Sequence, residues 1–363
     1  MIKIKPETKT LICIGTGGVG KTTLAASFGV GLALDGKKIL VLTIDPSKRL
    51  AQALGLKPDG DLHKVDLSEV AGGKKNSGEL WSCVIDHQKA FEKFIRQASK
   101  NVASETDINR LLKNKLYLQL SGRLSGSQEF TSLISLYQYV QSGDYDIVIL
   151  DTPPAQHTWS FLKAPEKIAN LFNEGIANWF RSGSESGSLF KKLVNIGTTQ
   201  VLKALELLTG SEFIKELSSF FKAIQNWQGP LEAYVMNCHR LLISPQTEFV
   251  LVTGLDPSRL KEADKLAKEI RTQGYKLTSI VINRVPGWLS TQAKANLDAK
   301  ANLTEGDRLN NILHYYQSLE SELKKSIQSF SSQQSVYKCF EFSQNTENVP
   351  QLKINYDQII EIT

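Results

Sequence analysis

The stretch Leu11–Thr23, LICIGTGGVGKTT, constrains this chain more than any other. An apolar, β-rich run leads into Gly15-Thr16-Gly17-Gly18-Val19-Gly20-Lys21-Thr22, and a helix-forming segment follows at once. The octet satisfies G-x-x-x-x-G-K-[ST] in the strand–loop–helix context that gives the motif its meaning. Glycines at that spacing let backbone N–H groups turn inward around an anion, while the helix N-terminus adds partial positive charge. Lys21 is placed to reach β- and γ-phosphates, and Thr22 to ligate Mg²⁺. Gly17, Gly18, Val19, Gly20, Lys21, Thr22 and Thr23 are therefore candidate nucleotide-binding residues.

A loop of this kind needs a parallel sheet behind it, and the sequence supplies one. Short apolar runs occur at Thr10–Ile14, Lys38–Asp45, Leu80–Asp86, Tyr145–Asp151, Glu248–Gly254 and Lys276–Asn283. Continuous rather than alternating apolarity marks strands covered on both faces. Segments such as Thr22–Asp35, closed by Gly36, suit crossover helices. The expected class is α/β, a mostly parallel sheet flanked by helices, with a helical subdomain. From Trp159 to Leu242 no strand pattern appears. Phe213, Leu217, Phe220, Ile224 and Trp227 recur there at helical spacing, and Ser182–Ser188 reads as a loop. The expected division is an ATPase core of residues 1–158 and 243–363 with a helical insertion of residues 159–242.

Composition narrows the function classes. The chain has 363 residues, 41% hydrophobic and 22% charged, enough for a large core, and a net charge of +6. That charge is dispersed, without the dense basic run of a nucleic-acid arm, so no nucleic-acid partner is expected. Cys13, Cys83, Cys238 and Cys339 are widely spaced with no CxxC pair, which fits reduced thiols rather than a disulfide framework or zinc knuckle. The N-terminus lacks an apolar targeting core and no run is long enough to span a bilayer, so the expected location is cytoplasmic.

Two carboxylates end strand-like runs. Asp151 closes YDIVIL, where a P-loop enzyme keeps the carboxylate that supports Mg²⁺. Asp45 closes KILVLTI and precedes Pro46, at the sheet edge where ligands bind in open α/β folds. Either one alone reads as a turn-capping aspartate. Together behind a P-loop they become candidate metal-site residues with Thr22.

The segments GGVGKTT, TIDPSKRLAQALG, DTPPAQHTWSFL and IVINRV, in this order, resemble the ArsA-type ATPases. That family includes arsenite-pump ATPases, guided-entry ATPases that deliver tail-anchored membrane proteins, and bacterial relatives that often occur as two similar subunits. DPSKRLAQALG is most similar to the bacterial relatives. The resemblance implies an ATP- and Mg²⁺-dependent hydrolase working as a dimer. It implies that Asp45 orients or deprotonates the attacking water and that, with Lys21, it forms the catalytic pair. It implies that Asp151 supports Mg²⁺ through water and that Asn283 hydrogen-bonds adenine; by itself Asn283 also reads as a turn residue after a strand. His157 matches a histidine of the family's second switch.

Two departures stand out. Gln156 replaces a switch glycine, and Thr16 replaces a second lysine that in the family reaches the partner chain's nucleotide. An uncharged Thr16 leaves three readings open: pairing with a lysine-bearing paralogue, replacement of the charge by Lys48 or Arg49 in a homodimer, or an independent ATPase with weak turnover. The client is equally open. A metalloid pump needs clustered soft ligands, and none is visible in sequence. A hydrophobic or membrane-protein client needs an apolar groove, yet the chain has only Met1 and Met236. Partition and positioning ATPases share the loop and often end in an amphipathic membrane helix, which VPQLKINYDQIIEIT does not resemble.

Overall fold

The computed structural model describes residues 2–44, 51, 54–55, 57, 59–72, 78–100, 103–113, 128–152, 229–230, 232–286, 321, 324–325, 327–328, 330, 334–341 and 348–362. The chain divides into two compact units. The first comprises Met1–Asp86, Leu136–Trp159 and Leu241–Thr363, and the second His87–Ser135 and Ser160–Arg240. The second unit thus takes in His87–Ser135, a stretch that sequence patterning alone assigns to the core. The apolar positions Phe213 to Trp227 and the Ser182–Ser188 segment lie outside the described residues; residues 232–242 are helical.

The first unit is built on one sheet whose order, among the described residues, is β3-β4-β2-β5-β1-β6-β7-β8-β9. The strands are β1 (Thr10–Gly15), β2 (Lys38–Thr43), β3 (His63–Val65), β4 (Glu79–Val84), β5 (Ile147–Asp151), β6 (Thr247–Gly254), β7 (Leu277–Val285), β8 (Ser335–Phe340) and β9 (Ile359–Glu361). All neighbouring pairs run parallel except the two edges, where β3 and β9 pair antiparallel with β4 and β8. β1, β5 and β6 are buried along their whole length, as their unbroken apolar runs require. β1 lies between β5 and β6, so the loop that leaves its C-terminal end opens at the centre of the sheet.

Six strands match the apolar runs of the sequence, with small shifts at their ends. β2 stops at Thr43, and β7 continues past Asn283 to Val285 across a shift of register against β8. The three additional strands are short or half-exposed and sit at or next to the edges, where the burial that makes a strand legible is missing.

Helix α1 (Lys21–Leu34) packs through two glycines, one against this sheet and one against a C-terminal helix. A Cβ on Gly29 would meet Val41 Cγ2 at 2.6 Å, so the helix lies close on the strands. A Cβ on Gly31 would stand 2.3 Å from the Tyr356 ring, which belongs to a C-terminal helix (Val349–Asp357) and is buried. Gly31→Ala should therefore destabilise the protein by about 2 kcal/mol through overpacking, where an exposed helical glycine would gain stability from the same change. Denaturant unfolding of the two proteins checks this.

The second unit has an aromatic centre of its own. Helix α2 (His87–Ser99) buries Ala90, Phe91, Phe94, Ile95 and Ala98 along one face. Phe94 meets Phe130 edge-on at 5.4 Å and Tyr234 at 5.1 Å. Among the described residues no helix is long and apolar enough to cross a membrane.

Candidate active site

The loop between β1 and α1 begins where the sheet leaves no room for a side chain: a Cβ on Gly15 would stand 2.2 Å from the Val252 carbonyl oxygen. Gly18 and Gly20 have φ of 73° and 83°, left-handed conformations that suit glycine, and Gly20 is the N-cap of α1. These conformations place the loop directly at the N-terminus of α1, the position at which backbone N–H groups can receive an anion.

Lys21 and Asp151 come together beneath that loop. Lys21 Nζ is 3.7 Å from Asp151 Oδ1, with both side chains almost wholly buried. Thr43, at the end of β2, donates its hydroxyl to Asp151 Oδ2 at 3.2 Å. Asp151 Oδ1 has no hydrogen-bond partner among the described residues. Burial pushes the Asp151 carboxyl above its ordinary value, while the Lys21 ammonium first, and the Thr22 and Thr43 hydroxyls after it, pull it back. The sign for stability follows: the folded state holds this proton more tightly, so stability falls as pH rises from the unfolded value toward the folded one. Thr152, next in the chain, donates to the Cys13 carbonyl at 2.8 Å and anchors the end of β5 to β1.

Thr16 is buried and its hydroxyl is unpartnered among the described residues. Asn283 is buried too, and its side-chain amide donates to the Val19 carbonyl at 2.7 Å. That bond ties the end of β7 to the loop, and it explains why Gly20 cannot carry a Cβ, which would fall 2.5 Å from Asn283 Nδ2. Beside it lies a pocket of about 220 Å³ lined by Val19, Gly254, Leu255, Asp256, Arg259, Asn283, Arg284 and Pro286.

The structure therefore brings Gly17, Gly18, Val19, Gly20, Lys21, Thr22, Thr23, Asp151 and Asn283 to one end of the sheet. Asp45, Lys48, Arg49, Gln156 and His157 lie outside the described residues. Sequence reasoning missed the Thr43 tether and the arginines of the pocket. Asp256-Pro257-Ser258, one residue beyond a strand-end glycine, is a helix-start signal that could have marked Arg259 as a residue near the sheet edge.

The four cysteines are buried and none forms a disulfide. Burial pushes the Cys13 and Cys238 thiols well up and that of Cys339 up to about 12, so each stays protonated at neutral pH.

If Lys21 and Asp151 compensate one another, removing one partner strands a buried charge. Asp151→Asn is expected to destabilise the nucleotide-free protein by about 3 kcal/mol, and Lys21→Met/Asp151→Asn to recover most of that loss. Chemical denaturation of the single and double variants measures the cycle.

Residues 8–328 match the family model described as "Anion-transporting ATPase". The chain is 26% identical over 305 residues to an ATPase GET3 of Candida glabrata, covering 78% of this chain and 77% of that protein. It is 23% identical over 285 residues to a protein of Aquifex aeolicus named as an arsenical pump-driving ATPase, covering 76% of this chain but 63% of that protein, less than two thirds of its length. An ATPase ASNA1 homolog of Cryptosporidium parvum is 26% identical over 294 residues, with 78% of this chain and 69% of that protein covered. With a parallel α/β sheet, an intact phosphate-binding loop and a family match across most of its length, the chain belongs to the ArsA family of ATP-hydrolysing enzymes.

Proposed function

We propose that the chain hydrolyses Mg²⁺-bound ATP to ADP and phosphate in the loop Gly15–Thr22, and that nucleotide state controls a dimer and its helical subdomain. The observation that carries this reading is the buried Lys21–Asp151 pair beneath the loop, in which Asp151 Oδ1 faces the Lys21 ammonium at 3.7 Å and accepts no hydrogen bond among the described residues. A buried carboxylate oxygen with spare capacity beside a threonine hydroxyl fits a hydrated Mg²⁺, so Thr22 and Asp151 would hold the ion, with Asp45 near it. When bound, Mg²⁺ would neutralise charge on the β- and γ-phosphates.

The chain's own residues do the rest. Backbone amides of Gly17–Gly20 and the N-terminus of α1 receive the phosphates, and Lys21 turns its ammonium from Asp151 toward them. Asn283, anchored on Val19, presents its remaining acceptor oxygen to the adenine amino group. Asp45 orients water for in-line attack; the new oxygen–phosphorus bond forms as the bond to the β–γ bridging oxygen breaks, and ADP departs. Catalysis rests on positioning and electrostatics rather than on a covalent intermediate.

The preferred assembly is a heterodimer with a lysine-bearing paralogue, because Thr16 brings no charge to a partner's site. A homodimer is the second assembly. For the client, a hydrophobic or membrane-protein segment is favoured over a metalloid, since buried thiols scattered through the chain make poor collectors of a soft ion. The proposed location is cytoplasmic.

Purified chain should show ATPase activity that chelation by EDTA abolishes and that Lys21→Ala lowers by about 100-fold or more. Turnover should rise when a lysine-bearing relative is recovered with the Asp45→Asn variant in ATP and added back. Full turnover as a homodimer, unchanged in Thr16→Lys, would overturn the heterodimer.

A further inference from the structure

Two arginines reach the phosphate-binding loop from elements that the sequence motif does not include, Arg259 from helix Pro257–Thr272 and Arg284 from β7. Arg259 Nη2 lies 4.0 Å from the point a Cβ on Gly18 would occupy, and Arg284 Nε lies 3.8 Å from the corresponding point on Gly20. Both line the pocket beside Asn283, and neither guanidinium is ion-paired or hydrogen-bonded among the described residues.

Their placement is built rather than incidental. Arg259 stands in the first turn of helix Pro257–Thr272, whose start is fixed by Asp256: its Oδ1 accepts from Ser258 N at 2.9 Å and Arg259 N at 3.3 Å. The Arg259 carbonyl accepts the Thr253 hydroxyl at 3.1 Å, so the residue's backbone is held from both sides. Its stem runs over Gly254, where a Cβ would stand 3.2 Å from Arg259 Cδ. The glycine at 254 leaves room for the path along which this side chain reaches the loop. Arg284 follows Asn283 at the register shift of β7 and holds φ at 56°, a left-handed conformation rare for a non-glycine residue. Such strain persists at functional positions where the surroundings enforce it.

The chemistry at this spot calls for cations. Phosphoryl transfer spreads negative charge over the γ-phosphate oxygens, and planar guanidinium groups match phosphate oxygens in pairs. Thr16 adds no charge, and Lys21 is shared with Asp151. We propose that Arg259 and Arg284 clamp the nucleotide phosphates from within the same chain, Arg259 over Gly18 and Arg284 over Gly20. The clamp supplies the positive charge that the loop lacks at Thr16. The inference rests on the reading of Gly15–Thr22 as the ATP site.

The experiment is steady-state ATPase kinetics on Arg259→Ala, Arg259→Lys, Arg284→Gly and Lys21→Ala, with fluorescent ATP-analogue binding and thermal melts. Expected are a kcat lower by about 100-fold in Arg259→Ala, a smaller loss in Arg259→Lys, and partial return of Arg259→Ala activity on adding guanidinium ion. Arg284→Gly should lose about 10-fold in kcat while melting at or above the wild-type midpoint, because glycine accepts φ of 56° freely. A structural role would give neither the guanidinium rescue nor a less active but undestabilised Arg284→Gly. Wild-type kcat in Arg259→Ala and Arg284→Gly, or a change in KM alone, overturns the clamp while an inactive Lys21→Ala keeps the ATP site. Full ATP binding by Lys21→Ala would overturn both.

Discussion

Everything at the C-terminal edge of the sheet depends on one buried contact, Lys21 against Asp151. The two groups sit 3.7 Å apart, Lys21 at the first residue of α1 and Asp151 at the end of β5, with little water to screen them. Burial penalises the Asp151 charge, and the Lys21 ammonium and the Thr43 hydroxyl offset that penalty without fully satisfying the carboxylate. A buried ion pair whose carboxylate oxygen accepts no hydrogen bond, beside a glycine-rich loop at a helix N-terminus, is arranged for an incoming charged ligand. The parallel sheet exists, in this sense, to hold two strand ends side by side, and the buried length of β1, β5 and β6 supplies the rigidity.

The same contact explains the glycines around it. Gly15 must lie against the Val252 carbonyl, Gly20 must make room for Asn283, and Gly29 and Gly31 must let α1 settle between the sheet and the Tyr356 ring. Each is a close approach that a single methyl group would block. Asn283 closes this arrangement from the far side by holding Val19. Its position at a register shift, followed by the left-handed Arg284, shows β7 distorted where the loop needs a partner.

Most of this was legible in the sequence where burial is complete. Six fully or largely buried strands announced themselves as unbroken apolar runs, and G-x-x-x-x-G-K-T named its own loop, helix and cation. The edge strands β3 and β9 stayed hidden because three residues with mixed exposure carry no period. Thr43, Arg259 and Arg284 stayed hidden for another reason: each joins the site through non-local packing that no spacing encodes. Asn283 was found, yet its contact with Val19 links positions 264 residues apart and could not be read from either. Likewise, nothing in the local pattern of His87–Ser135 reveals that it folds with Ser160–Arg240 rather than with the strands on either side.

Membership in the ArsA family fixes the loop chemistry, while Thr16 sets this chain apart from the members that carry a lysine there. Charge at the phosphates must then come from Lys21, a metal ion, the paired arginines or another subunit. Before any of these can act, the loop must hold ATP, and Gly20 is the residue at which its left-handed backbone, the helix start and the Asn283 contact meet. The most direct measurement is the equilibrium affinity of Mg²⁺-ATP for wild-type protein and for Gly20→Val, by calorimetric titration. Saturable wild-type binding weakened about 100-fold or more in the folded variant is the result predicted. Undiminished binding by Gly20→Val would contradict the placement of ATP in this loop.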